Sequence, residues 1–205
     1  RILSSGADGA KVWRRLRPVA KQFKGDQGGL RCVAFSADSR RLAFAGTDAV
    51  VSVRDIRDGS PTRNYTDSPA LVHSVAFHPG GMVASTGKAT VELWDPASLK
   101  TKWMKPLAPA PSAYWLAFSP DGSRIYVASQ EDRLTVLDAA TGATLRFKDN
   151  LGATLDGLAV SPDGRLLALC QKVGAEKVMV LSADDLSTLW QVPAMTLRCA
   201  AFSPD

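Results

Sequence analysis

The fold of this chain is decided by the stretch Phe118-Ser119-Pro120-Asp121-Gly122, because related stretches recur at a fixed period along its 205 residues. The other copies begin at Phe35, Phe77, Val160 and Phe202, and consecutive copies are 41 or 42 residues apart. Proline, aspartate and glycine each favour tight turns, so every copy predicts a turn. A period of this length indicates an array of structural repeats.

Short segments with the composition of β-strands surround each turn. Around the quoted stretch, the two flanking segments are Ala113–Phe118 and Arg124–Ser129. A third segment, such as Thr90–Trp94, and a fourth, more polar one, such as Lys100–Met104, complete a repeat. No stretch has sustained helical periodicity. The pattern therefore predicts an all-β fold, in which each four-stranded repeat forms one blade of a β-propeller.

The third segments carry a family resemblance. Glu92-Leu93-Trp94-Asp95 reproduces the Trp-Asp end of a WD40 repeat, and Ser52–Asp55 and Thr135–Asp138 keep the aspartate. The chain resembles a WD40 repeat protein along its whole length, and residues 114–154 are also similar to YVTN propeller repeats. The Gly-His pair that opens many WD40 repeats is missing, so the family's His-Asp-Ser/Thr-Trp hydrogen-bond network is not expected to be complete.

The resemblance implies one WD40-like β-propeller domain over residues 1–205. We expect four complete four-stranded blades and two partial ones, with the partial blades at the ends of the chain. Two arrangements are open: the ends combine into a composite fifth blade, or the chain is part of a larger ring of about seven blades, which is the favoured reading. The predicted repeats are residues 1–29 (partial), 30–70, 71–112, 113–154, 155–196 and 197–205 (partial).

Composition excludes several classes of function. The net charge of +5 is spread along the chain without a dense basic patch or a nucleic-acid-binding motif, so no nucleic-acid partner is expected. No apolar run reaches the ~20 residues of a membrane span. Cys32, Cys170 and Cys199 lack metal-ligand or disulfide spacing and are interpreted as core residues. No cofactor is implied, and the compartment is open, with the cytoplasm favoured.

Catalytic and metal-binding sites are not predicted. His73 and His78 are the two histidines, and neither has a metal ligand or nucleophile at a suitable spacing. Asp38, Asp121 and Asp163 occupy the same position in different repeats, which indicates a turn residue in each blade rather than a pair of catalytic carboxylates. The sequence therefore favours a protein that is not an enzyme.

One position in the repeat is a candidate for partner binding. It lies four residues before the apolar residue that opens each turn, and it carries large polar or charged side chains between small or aliphatic neighbours. By the resemblance, this position borders the mouth of the propeller channel, and the adjacent aromatic Trp115 suits an interface. The alternative is that these residues are solvated strand starts. The candidate residues are Arg31, His73, Tyr114, Trp115, Asp156 and Arg198.

The functional hypothesis is a scaffold that binds protein or peptide partners through the propeller loops and the channel mouth. The alternative is the propeller region of a larger bacterial enzyme or signalling protein, linked to a kinase or a cytochrome. A propeller hydrolase is a weaker third hypothesis, because it requires acidic or metal-binding clusters that the sequence does not offer. A kinase glycine loop or a haem-attachment motif in adjoining sequence would support the alternative.

Overall fold

The fold is taken from a computed structural model of the chain. It describes residues 2–6, 9–14, 17–23, 29–57, 61–65, 71–87, 89–107, 113–129, 132–152, 154–171, 177–193 and 199–203. For residues 2–6, 9–14, 17–23, 61–65, 113 and 114 the description covers the backbone alone. Within these ranges all regular structure is β-strand, which confirms the predicted fold class.

The strands follow one another at short intervals, as the repeated turns predict. They are β1 (Ile2–Gly6), β2 (Gly9–Arg14), β3 (Arg17–Phe23), β4 (Leu30–Phe35), β5 (Arg41–Gly46), β6 (Val51–Asp55), β7 (Pro61–Tyr65), β8 (Ser74–Phe77), β9 (Val83–Gly87), β10 (Thr90–Trp94), β11 (Thr101–Pro106), β12 (Ala113–Phe118), β13 (Arg124–Ser129), β14 (Leu134–Asp138), β15 (Thr144–Lys148), β16 (Leu155–Val160), β17 (Leu166–Gln171), β18 (Lys177–Ser182) and β19 (Thr188–Pro193).

The strands form antiparallel meanders in which each strand pairs with its neighbours in sequence. Four of the described sheets have four strands: β4 to β7, β8 to β11, β12 to β15 and β16 to β19. A fifth, with three described strands, contains β1 to β3. The chain divides into two compact units, residues 1–102 and 103–205, and β11 spans the division. Four-stranded meanders of this kind are the blades of a β-propeller.

The repeated turn is stabilised by side-chain hydrogen bonds between its own residues. The Ser119 Oγ donates to Asp121 and accepts the Arg124 backbone N–H at 2.9 Å, while Asp121 Oδ1 accepts the Ser123 N–H at 3.0 Å. The Gly122 N–H donates to the Ser119 carbonyl at 2.9 Å, and Gly122 has φ +77°. Glycine is suited to that left-handed position because it has no Cβ. The turn chemistry predicted from the sequence is confirmed.

Blades within each unit pack face against face. In the second unit, Tyr126 and Val136 of one sheet pack with Leu167, Leu169 and Leu181 of the next, and all five are at most 1% exposed. Burying one such leucine contributes about 2–3 kcal/mol of hydrophobic stabilisation. In each unit the first strands of neighbouring blades are adjacent, β4 beside β8 and β12 beside β16.

The same packing organises the first unit. Trp94, at the Trp-Asp end of β10, is fully buried and packs against Val51 and Val53 of the preceding sheet, together with Val83 and Cys32. A tryptophan at this position supplies a large apolar surface between two blades. The described segments include no helix with the length and hydrophobicity needed to cross a membrane.

Candidate partner-binding surface

The repeat position chosen from the sequence coincides with a β-bulge at the start of the first strand of three blades. In β4, Leu30 is opposite Gly46 and Cys32 is opposite Ala45, so Arg31 between them has no partner in the register. The same shift leaves out Tyr114 in β12 and Asp156 in β16. A bulge turns the extra side chain away from the regular alternation of the strand.

In the first unit, this position brings two basic residues into electrostatic contact. Arg31 is exposed, and His73 is partly buried immediately before β8, where its N–H donates to the Thr86 carbonyl at 2.9 Å. Burial lowers the pKa of His73, and the positive charge of Arg31 lowers it further. The residue before it, Val72, donates its N–H to the Gly46 carbonyl of the preceding blade at 3.3 Å. This contact joins the residue before His73 to the end of β5, which is itself paired with the start of β4.

In the second unit, the position is aromatic or acidic. The Tyr114 side chain lies outside the described residues, while the adjacent Trp115 is partly buried and packs against the core cluster of this unit. The Trp115 Nε1 is enclosed, with no hydrogen-bond partner among the described residues. Asp156 is partly buried, and Arg198 lies outside the described residues.

Asp156 is electrostatically coupled to a buried thiol. The pKa of Cys170 is raised by burial first, and then by the charges of Cys199 and Asp156. Cys32 and Cys170 are buried, as the interpretation of the cysteines as core residues predicts, but Cys199 is exposed. That part of the interpretation is wrong. From Cys199 to Ser203, exposed and partly buried residues alternate, and Cys199 falls with the exposed ones.

The histidine at the other end of β8 belongs to a turn. His78 occupies the position that serine has in the related turns, and its Nδ1 accepts the Gly80 N–H at 2.8 Å while its carbonyl accepts the Gly81 N–H at 2.8 Å. The ring therefore replaces the Ser-Asp pair as a local acceptor. In the part of the chain that the structure describes, no three His, Cys, Asp or Glu side chains are grouped to hold a metal ion.

The sequence analysis missed a charged cavity between two neighbouring turns of the second unit. It has a volume of about 300 Å³ and lies between the turns that contain Pro120 and Gly164. Arg124 lines this cavity. Its Nη1 donates to the Ala183 carbonyl at 3.3 Å and lies 3.5 Å from Asp184 Oδ1. Because this arginine ties one blade to the next, its first role is structural.

A sequence signal for this contact exists. Arginine opens the second strand of two repeats, as Arg41 and Arg124. In the first unit, the Arg41 guanidinium carbon lies 5.6 Å from the Phe77 ring centre in the following blade, within the range of a cation–π contact. An arginine repeated at this position thus marks a link between neighbouring blades rather than a free binding residue.

Comparison with known proteins gives the family. The family model of the WD domain, G-beta repeat, matches residues 17–55. WD repeat-containing protein SL1-17 of Schistosoma mansoni is 27% identical over 149 residues, which cover 72% of this chain and 49% of that protein. The chain is a WD40 repeat protein. A second family model, described as outer membrane protein assembly factor BamB, matches residues 87–204 of this WD40 repeat protein. These residues are more than half of the chain, so the chain also belongs to that family.

Two further relatives match most of this WD40 repeat protein. Transducin beta-like protein 3 of Rattus norvegicus is 28% identical over 95% of the chain and 23% of its own length. THO complex subunit 3 of Arabidopsis thaliana is 22% identical over 91% of the chain and 60% of its own length. The chain spans less than two thirds of the length of each of these relatives. WD repeat relatives of this kind are, in general, consistent with a role in protein interaction.

Proposed function

We propose that this WD40 repeat protein is a non-enzymatic interaction module that binds protein or peptide partners through its propeller loops and the channel mouth. The observation that carries the proposal is the bulge at one repeat position, which leaves Arg31, Tyr114 and Asp156 out of the paired register of their strands. Bulges of this kind are used in proteins to redirect a side chain. His73 and Arg198 occupy the same repeat position, and Trp115 is adjacent to it.

The chemistry of these residues suits recognition of a partner better than catalysis. Arg31 and His73 offer hydrogen-bond donors, and Asp156 offers a carboxylate. Trp115, held by the core and partly buried, offers a rigid aromatic surface, and tryptophan and arginine are enriched among the residues that dominate interface energies. The relative named THO complex subunit 3 is, by its name, a component of an assembly. A role in binding other proteins is consistent with that relative.

A charge reversal at the bulge tests the proposal. Arg31→Glu is expected to reduce retention of partner proteins by about tenfold or more, because it replaces a donor with a repelling charge at the contact. The measurement is quantitative mass spectrometry of proteins retained from a lysate by the immobilised chain. Arg40→Glu is the matched control, because Arg40 is an exposed arginine in the turn of the same blade and has no place at the strand start.

A second substitution tests the same repeat position in the second unit. Asp156→Lys is expected to change the set of retained proteins in the same assay, with unfolding curves confirming that both variants are folded. If Arg31→Glu and Asp156→Lys retained every partner as well as Arg40→Glu does, the candidate residues would be solvated strand starts, and the proposed binding surface would be wrong.

A further inference from the structure

A groove lies in the second unit, and none of the described candidate residues at the strand starts lines it. It has a volume of about 310 Å³ and separates the end of β11 from strands β14 and β15. One wall carries Lys105, Pro106 and Leu107, and the other carries Arg133 and Phe147, with Thr135 among the lining residues. The described lining therefore combines apolar surface with two cations and no carboxylate.

Phe147 is the apolar centre of this groove. It is 57% exposed, although burying a phenylalanine ring is strongly favourable. It pairs with Thr135 across β14 and β15, and the Arg133 guanidinium carbon lies 4.8 Å from the ring centre. An arginine placed over an aromatic ring is a stabilising cation–π contact. The ring therefore has one side occupied by Arg133, and more than half of its surface is open to a ligand.

The Arg133 side chain is held in place by Asp149. Its Nη2 donates to Asp149 Oδ2 at 2.9 Å, and its Nε contacts Asp149 Oδ1. A two-point contact between a guanidinium and a carboxylate restricts the arginine side chain. Because the arginine and the ring are held before any ligand arrives, binding on them requires little loss of side-chain entropy.

The opposite wall is also held in place. The Trp103 Nε1 donates to the Ala139 carbonyl at 3.1 Å, and the Trp103 ring lies directly over Gly142. Trp103 and Lys105 lie on the same face of β11, since successive side chains of a strand alternate, and both are partly buried. The contacts of Trp103 therefore hold in place the face of β11 from which Lys105 lines the groove. Lys105 is the cation of the lining without a described carboxylate partner.

We propose that this groove binds a short acidic peptide segment that inserts an apolar or aromatic side chain against Phe147 and places carboxylates beside Lys105. The occupant follows from charge complementarity, because the lining combines apolar surface with Lys105, which has no described carboxylate partner, while Arg133 is already paired with Asp149. The inference rests on the proposed function in assuming that the chain binds other proteins. It adds a second surface, of defined chemistry, to the one at the strand starts.

Fluorescence anisotropy with a defined probe tests the groove. The probe is a fluorescein-labelled peptide, Glu-Asp-Glu-Leu-Phe-Asp-Glu, added to the whole chain. Phe147→Ala and Lys105→Glu are each expected to raise the Kd about tenfold. A peptide with Gln and Asn in place of its acids, and one with Ala in place of Phe, should bind with similarly reduced affinity. Lys105→Glu should instead gain affinity for the peptide in which lysines replace the acids.

Matched controls are available on β18 and β19. Trp190 is 52% exposed on this outer strand, and Lys177 of the neighbouring β18 donates to Gln191 at 2.9 Å. Trp190→Ala and Lys177→Glu change the same kinds of residue away from the groove and should leave the Kd unchanged. Equal binding by wild type and Phe147→Ala, equal binding of the amide peptide, or no binding of the probe to wild type would each overturn the proposal.

The outcome for the groove is separable from the outcome for the proposed function. Arg31→Glu, at the start of β4, should bind the probe as wild type does, because Arg31 does not line the groove. If the probe fails to bind while Arg31→Glu still loses partners from the lysate, the groove is wrong and the proposed function stands. If the probe binds but no partner depends on Arg31, the failure lies with the surface at the strand starts.

Discussion

Replacing Gly142 with alanine should destabilise the chain by about 2 kcal/mol, for two reasons that the structure separates. Gly142 has φ +73°, a conformation that costs an L-residue with a Cβ about 1 kcal/mol. An added Cβ would also lie 2.8 Å from two atoms of the Trp103 ring, which is closer than packed atoms allow. The ring must move, and its hydrogen bond to the Ala139 carbonyl is then lost.

The second contribution is the loss of that hydrogen bond, about 1 kcal/mol. For a chain of this length, the sum corresponds to a fall in Tm of about 4–8 °C. The assay is urea and thermal unfolding, followed by circular dichroism and by tryptophan fluorescence. Circular dichroism reports on the strands. Trp103 is one of five tryptophans, so the part of the fluorescence change that is absent in Trp103→Ala reports on the displacement of Trp103.

Gly152→Ala is the matched control. Gly152 has φ +87°, so alanine there meets the same backbone strain, but no atom lies within 4 Å of the added Cβ. It should lose about 1 kcal/mol, the strain alone. In a Trp103→Ala background, the excess effect of Gly142→Ala should disappear. If Gly142→Ala destabilised the chain no more than Gly152→Ala, the contact between Trp103 and Gly142 would carry no energy, and the account of this wall of the groove would be refuted.

Three further outcomes are expected. In the folded chain, the exposed Cys199 should react with Ellman's reagent, while Cys32, whose pKa is raised by burial to about 12, should react only after unfolding, as peptide mapping would show. Hydrogen bonds from Ser119 and then from the Ser123 backbone lower the pKa of Asp121 to about 2. Since this folded-state pKa lies below the unfolded one, the stabilisation is present above about pH 4 and is lost toward pH 2. Asp121→Asn should therefore flatten the fall in Tm over that range. Leu167→Ala should lower the free energy of unfolding by about 3 kcal/mol in urea titrations, because the side chain is fully buried in the core of the second unit.

The strands and turns were predictable because their causes are local. The turn is specified by hydrogen bonds within the six residues from Ser119 to Arg124, and its repetition indicates where the first strand of a blade ends and the second begins. The polar character of the repeat position at Arg31 and Asp156 was also visible in the sequence. The bulge itself was not, because a change of register depends on which residues of the neighbouring strand form the ladder.

The groove could not be predicted for a related reason. Arg133 and Phe147 are 14 residues apart and meet only because β14 and β15 pair in one register. Trp103 and Ala139 are 36 residues apart and meet only because Trp103 of β11 reaches the residue that follows β14. Periodicity identifies the blades, but it does not say which polar or aromatic side chains neighbouring blades bring together. The exposure of Cys199 likewise depends on packing rather than on residue type.

The two ends of the first strand of a blade differ: one leads into a closed turn, and the other carries the bulge that we propose for partner binding. In β16, the end of the strand leads into a turn in which the Ser161 Oγ donates to Asp163 at 2.6 Å and accepts the Leu166 N–H at 2.9 Å. The start of the same strand carries the bulge at Asp156, outside the regular ladder. Because the turn is closed by its own residues, a blade without the Gly-His pair still has a local device that fixes its first hairpin. The bulged position lies outside the register of the ladder, so that arginine in one blade and aspartate in another are both compatible with the strand, as the proposed partner-binding surface requires.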